Sequence, residues 1–145
     1  MTTEIRVPAT EREWEEYYGL RYAVLRAPFG APPGSERDEH ENGAVHRAAF
    51  DETGAVVGVG RLHATPDGEQ VRYMAVLEPW RGMGAGAQIL QALESESRSG
   101  KIFLNARERA VPFYERHGYR VVGPAPAVVG VPHFRMEKVI HKDGE

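Results

Sequence analysis

Apolar residues alternate with polar ones in some stretches and recur every third or fourth position in others, and the two periods divide the chain into strands and helices. Ile5-Arg6-Val7 predicts a short strand, and Thr10-Glu11-Arg12-Glu13 has the capping-box pattern that starts a helix. Trp14, Tyr17, Tyr18, Tyr22 and Leu25 then repeat at helical spacing until Pro28 ends the element. This aromatic stripe reads as core rather than as a binding surface. His46 to Phe50 and Ala55 to His63 predict a hairpin about the turn Asp51-Glu52-Thr53-Gly54. Gly58 and Gly60 leave one face of its second strand bare, as close packing would require. Another turn, Thr65-Pro66-Asp67-Gly68, feeds the extended run Gln70-Val71-Arg72-Tyr73-Met74-Ala75-Val76, whose residue types suit a largely buried strand. Pro79 ends it, because proline lacks a ladder N–H.

Farther on, Ile89, Leu90 and Leu93 share one helical face with Gln91, Glu94, Glu96 and Arg98 opposite, and Gly100 is placed as the stop. Lys101 to Leu104 predicts a short apolar strand. Pro112 sets the first turn of a helix between Arg107 and His117, since proline is tolerated only there. Tyr119 to Val122 and His133 to Val139 should pair antiparallel across a Pro/Gly-rich loop, Gly123 to Pro132, and Lys142 to Glu145 read as a frayed tail. The expected sum is a mixed α/β sheet with helices after its first, fourth and fifth strands.

Composition narrows the classes. The 145 residues predict one domain, 1–145, able to bury about 70% of its unfolded surface. A hydrophobic content of 41% and a charged content of 27% are ordinary globular values. A net charge of -3 argues against nucleic acid as the partner, which needs a concentrated basic face. No cysteine is present, so disulfides and thiolate metal sites are excluded. With no apolar run of membrane-spanning length and no signal-peptide pattern, the cytoplasm is the expected compartment and a membrane is not an expected partner. No residues have convincing metal-ligand spacing, and His40 and His46, with acids nearby, are expected at the surface. Residues Ala27 to Asn42 read as loop, either a solvated connector or a mobile charged flap.

Chemistry concentrates at Arg81-Gly82-Met83-Gly84-Ala85-Gly86. A loop without β-carbons that enters a helix lets phosphate oxygens touch free backbone N–H groups, and the helix dipole adds positive potential there. It is an anion site by construction. The phosphate loop of nucleotide triphosphatases is ruled out, because no Gly-Lys-Ser or Gly-Lys-Thr closes it. Gly82, Gly84 and Ala87 do fit the dinucleotide fingerprint of an NADP-type reductase. That fold, however, needs its first glycine directly after the strand and an acidic residue at the next strand's end. Here Leu77 to Arg81 intervene, and the next strand ends in Leu104-Asn105.

The pattern Val-x-x-x-x-Arg-x-x-Gly-x-Gly, from Val76 to Gly86, resembles the acetyl-CoA pyrophosphate motif of the GNAT superfamily of N-acetyltransferases. Leu104-Asn105-Ala106-Arg107, followed by Ala110, Phe113-Tyr114 and Gly118-Tyr119, is similar to that family's second cofactor motif. Gly130-Val131-Pro132-His133-Phe134-Arg135-Met136 resembles the closing segment of small bacterial members. The likeness covers most of the chain from Val56 onward.

The resemblance implies the GNAT fold, of α/β (α+β) class. Its central mixed, mostly antiparallel twisted sheet has about six or seven strands, flanked by about four helices and splayed between the fourth and fifth strands. It also implies an acetyl-CoA-dependent N-acetyltransferase acting by direct attack of a primary amine, on a small molecule or peptide, without a metal. Backbone groups of Met74, Ala75 and Val76 would then pair with the pantetheine arm at a bulge. Those of Arg81, Gly82, Met83, Gly84, Ala85 and Gly86 would take the pyrophosphate, and Asn105 would bond the pantetheine or order the tyrosine. Tyr114, which by itself reads as packing after Phe113, matches the family's general acid for the departing thiolate.

The base is less plain. Relatives carry an acid or histidine two or four residues before Met74, where regular pleating puts Arg72 and Gln70, while Glu69 points the other way. His133 is the candidate base, given histidine's near-neutral pKa, or else a structural hydrogen-bonding residue; an amine that sheds its proton before binding needs no base. Arg72, with Arg26 or Arg61, would favour an anionic amine through the guanidinium fork. The missing base leaves a rival open, a CoA-binding regulatory module without an acceptor site. Homodimers are common in the family, and no residue pattern here identifies an interface.

Overall fold

Thr10 opens the first helix: its hydroxyl accepts from the Glu13 N–H at 3.1 Å, and the Glu13 carboxylate accepts back from the Thr10 N–H. In the computed structural model, which describes residues 2–140, that helix is α1 (Glu11–Leu25). The strands are β1 (Glu4–Arg6), β2 (Val45–Phe50), β3 (Val56–Thr65), β4 (Gly68–Val76), β5 (Lys101–Arg107), β6 (Arg120–Val128) and β7 (Val131–Val139). They form one 7-stranded sheet in the order β1-β2-β3-β4-β5-β7-β6. α2 (Ala85–Glu94) follows β4 and α3 (Val111–Arg116) follows β5, so the helices come where the sequence puts them. The described residues hold three α-helices rather than about four; the remaining helical pieces are single 3-10 turns. The frayed tail expected at Lys142 to Glu145 lies outside the described residues.

Two apolar layers sandwich the sheet. Tyr17 and Leu20 of α1 pack on Ala48, Phe50, Val59 and Ala75, while Ile89, Leu90 and Leu93 of α2 pack on Leu62, Val71, Leu104 and Met136. Tyr17 is fully buried, so the aromatic stripe is core at its centre and half-buried at Trp14 and Tyr18. On the α2 face, a β-carbon at Gly60 would lie 2.5 Å from Met74 Sδ and 2.7 Å from Ile89 Cγ2. Gly58 is nearly as tight, 2.9 Å from Ile89 Cδ1. The bare strand face exists so that α2 can lie against β3.

Two boundaries differ from expectation. α2 stops at Glu94, well before Gly100, because the buried Glu69 carboxylate gathers the next residues into a turn. It accepts from the Ser97 and Ser99 hydroxyls at 2.6 and 2.7 Å and from the Arg98 and Ser99 N–H groups at 3.1 Å. The Pro/Gly stretch Gly123 to Pro132 is largely strand, turning only at Val129-Gly130. Pro124 and Pro126 fit because β6 is the sheet's last strand, where a missing N–H costs no ladder bond, and its register shifts at two points.

The centre of the sheet positions the site. β4 pairs with β3 along its length but meets β5 only at Glu69↔Ile102 and Gln70↔Phe103. Its register on β3 jumps from Arg61↔Arg72 to Val59↔Ala75, so Gly60 faces both Tyr73 and Met74. That bulge takes Tyr73 to a φ of 60.

Gly60→Ala is expected to lower stability by about 1–3 kcal/mol through overpacking against Met74 and Ile89. Gly19, inside α1 with open space around it, should behave oppositely, Gly19→Ala stabilising by about 0.5–1 kcal/mol. Chemical denaturation of both variants beside the parent checks the pair of signs.

Candidate active site

Where β4 and β5 part, a cleft of 340 Å³ opens. Gln70 to Met74 form one wall and Leu104 to Arg107 the other, with Tyr114, His133, Arg26 and the tip of the β6–β7 hairpin closing it. The cleft thus brings together Met74, Asn105, Tyr114, His133, Arg26 and Arg72 from five separate stretches. Beyond Gln70 the β5-facing edge of β4 has no ladder partner, which frees backbone polar groups toward the cleft. Ala75 and Val76 continue that edge, and the Arg81–Gly86 loop follows at the end of β4, outside the cleft lining.

The loop has the form its glycines suggest. Gly82 and Gly84 adopt φ of 79 and 91, and a β-carbon on either would meet nothing within 4 Å, so glycine is required there by conformation and not by crowding. Gly84 is the N-cap of α2 and supplies no side-chain cap, and no acidic residue occupies the first turn. The first N–H groups of the helix are therefore left for another acceptor. Arg81 Nε donates to the Val76 carbonyl at 3.0 Å, fastening the loop to the strand end.

Tyr114 lies on α3 between the cleft and the core, edge-on to Phe113 and Tyr119. Burial pushes its hydroxyl above the usual phenol range, with Arg107 opposing weakly. His133 Nδ1 lies 2.7 Å from the Val131 carbonyl, so Nδ1 carries the hydrogen and a neutral ring keeps its lone pair on Nε2. Asn105 is exposed on the cleft wall. Glu69 is not part of the site: burial works against its ionisation, yet the Ser97 and Ser99 bonds hold its carboxyl below the usual range.

The bulge also corrects the face assignment. Gln70 and Arg72 do not share a face with Met74, because the extra residue at Tyr73 reverses the alternation. Met74 packs toward Ile89, while Arg72 reaches Asp38 at 3.0 Å on the α1 side. Arg61 cannot bind an acceptor. It is fully buried and bonded to Asp38 at 2.6 and 2.9 Å and to Glu41 at 2.8 Å. Glu41 also accepts from Arg21 at 3.0 Å. The 27–42 segment is thus strapped to the sheet by two carboxylates, and neither reading of it as a free loop describes it. Burial disfavours a charged Asp38, but Arg61 overrides this and holds the carboxyl far below its usual range.

His46, expected at the surface, is buried between the Tyr17 hydroxyl at 2.8 Å and the Glu41 carbonyl at 2.7 Å. Its strand position opposite Arg61, on the α1 face, was the available signal. His40 is exposed and stacks on His63 with centroids 4.2 Å apart. Asp38, Glu41 and His63 escaped sequence reasoning, and Arg107 entered it only as part of the second motif, with no role; only the charge density of Glu36 to Glu41 hinted at the first two. Among the described residues no group of three or more His, Cys, Asp or Glu side chains is arranged to hold a metal, and no helix is long and apolar enough to cross a membrane.

Residues 29–140 match the family described as acetyltransferase (GNAT) domain. The chain is 32% identical over 136 residues to the uncharacterized N-acetyltransferase YjcF of Bacillus subtilis, covering 91% of this chain and 96% of that protein. It is similar to a crystal structure of a Lactobacillus plantarum protein assigned as an N-acetyltransferase, with TM-score 0.82, 24% identity and coverage of 97% and 100%. An aminoglycoside 6′-N-acetyltransferase complexed with coenzyme A superposes over 100% of both chains with TM-score 0.80 at 18% identity.

The buried polar cluster gives stability a definite pH dependence. Burial, then Arg61 and His40, push His63 from 6.5 down to about 4. Between those values the unfolded chain takes a proton that the folded chain refuses, so this stabilisation is complete above pH 6.5 and is lost as pH falls toward 4. His63→Asn, which can still accept from Arg61, is expected to flatten the decline by about 1–2 kcal/mol in urea melts across this range.

Proposed function

The chain belongs to the GNAT family of acetyltransferases, and on that premise we propose that it moves an acetyl group from acetyl-CoA to a primary amine of a small molecule or peptide. What chiefly supports this reading is the free edge of β4 running toward a helix entered through glycines and left without a side-chain cap. These residues fit the cosubstrate. The uncapped N–H groups from Gly82 to Gly86, with Arg81 beside them, suit a pyrophosphate. The open backbone of Met74, Ala75 and Val76 suits the amides of a pantetheine arm, and Asn105 faces it across the cleft.

Bound acetyl-CoA would supply an electrophilic thioester. A neutral amine is already a nucleophile, so the chain's contribution is placement and proton handling, with no covalent intermediate on the protein. The amine nitrogen bonds to the acetyl carbon as the carbon–sulfur bond breaks. His133 Nε2 takes the proton that the nitrogen sheds. Tyr114, held protonated by its burial, gives its own proton to the departing thiolate, and exchange with solvent resets both groups.

Calorimetry should register binding of acetyl-CoA and CoA but not NADPH, and acetyl-CoA should then be consumed against a panel of amines. Tyr114→Phe keeps the ring packing, so kcat is expected to fall about a hundredfold while CoA affinity holds. CoA binding without turnover of any amine would instead favour a regulatory CoA-binding module, and no CoA binding would remove both readings.

A further inference from the structure

Three guanidiniums, Arg26, Arg72 and Arg107, line the cleft together with His133, and no aspartate or glutamate among the described residues does. The chain has 18 Lys and Arg against 21 Asp and Glu, so this segregation does not follow from composition. Nor are the cations neutralised from behind. Arg72 has a single ion-pair partner among the described residues, Asp38, which it shares with the buried Arg61. Arg26 is buried and donates to two main-chain carbonyls, of Ser35 and Leu25, each at 3.0 Å. Around Tyr73 the imbalance is plain. Arg21, Arg26, Arg61 and Arg72 hold Cζ 4.1, 5.5, 4.9 and 4.6 Å from its ring centroid, and the carboxylates bonded to them are Asp38 and Glu41.

Four cations thus face two anions. The aromatic face offsets part of the excess. The remainder falls to Arg26, which is buried, and to Arg72, whose side chain is 37% exposed; with Arg107 they line the cleft, where a counter-charge can reach them. We propose that the acceptor brings that charge: it is a small amine carrying a carboxylate or phosphate near its amino group, held by Arg26 and Arg72 on one wall and Arg107 on the other. This rests on reading the cleft as the acceptor site. Leu25, Phe29 and the hairpin residues Val128 and Val129 line the same cleft and give the rest of the acceptor an apolar surface. A cleft of 340 Å³ that also receives the end of the pantetheine arm leaves room only for a small amine. With no acid on its walls, it offers nothing to a polycationic amine. Nearby guanidiniums also lower the pKa of an ammonium, so the amine keeps its lone pair near neutrality without a carboxylate base on β4.

The test is binding to CoA-saturated protein, which needs no turnover. N-acetyl-phenylalanine is compared with its amide for the carboxylate, and phosphoethanolamine with ethanolamine for the phosphate. The anionic member of at least one pair is expected to bind about tenfold or more tightly, the step due to one charge-assisted hydrogen bond. Which pair responds identifies the anion. Arg72→Gln should erase the preference and leave CoA affinity unchanged. Arg107→Gln, on the opposite strand and without a carboxylate partner among the described residues, should weaken it even if the first variant folds poorly. Equal or tighter binding of the neutral members in both pairs, or a preference that survives both substitutions, overturns the proposal. An anion preference without acetylation of any amine would keep the anion site and remove the transferase reading. Efficient turnover of neutral amines alone would do the reverse.

Discussion

One residue too many in β4 governs the middle of this protein. Opposite Gly60 the strand carries both Tyr73 and Met74, and Tyr73 adopts a φ that a non-glycine residue reaches only at a cost of about 1–3 kcal/mol. Three consequences share that cause. The strand bends away from β5 after two paired positions, its edge is left open, and the side chains before and after the bulge point to opposite faces. Met74 is turned onto α2, where only a glycine at position 60 leaves it room. The Tyr73 ring is turned onto four guanidiniums, and those cation–π contacts are among the interactions that hold the strained backbone in place.

The second structural theme is the strap from residue 36 to residue 41. Asp38 and Glu41 gather Arg21, Arg61 and Arg72 from a helix and two strands, so a stretch without regular strand structure is fixed by charge instead of by a ladder. Buried pairs of this kind add little over well-packed apolar residues, but removing one partner strands the other at a cost of several kcal/mol. The cluster therefore specifies one arrangement more than it deepens stability. Its arginines outnumber its carboxylates, and the unbalanced side is the one that opens on the cleft.

Much of this was readable from residue patterns because the causes are local. Thr10 and Glu13 form their capping box whatever surrounds them, and Pro112 can only begin a helix. Gly82 and Gly84 do adopt left-handed conformations at the entry to α2, which depends on the loop's own backbone. Misreadings came where a distant group decided. Glu69 ends α2 at Glu94 across the fold, and Pro124 and Pro126 are admitted to a strand only because β6 has no outer neighbour. His46 looked exposed beside its acids because nothing nearby in sequence announces the Tyr17 hydroxyl against it.

The sequence by itself determined the order of elements, the left-handed form of the glycine loop at the entry to α2 and the family, because periodicity, capping and glycine conformation act over a few residues. The tertiary structure alone decided which faces Arg72 and Met74 occupy, which arginines are spent on Asp38 and Glu41, and that Arg107 joins Arg26 and Arg72 around one cleft. A bulge shifts a whole strand's alternation by one residue, and an ion pair is set by distance in space. Neither leaves a period in the chain to read.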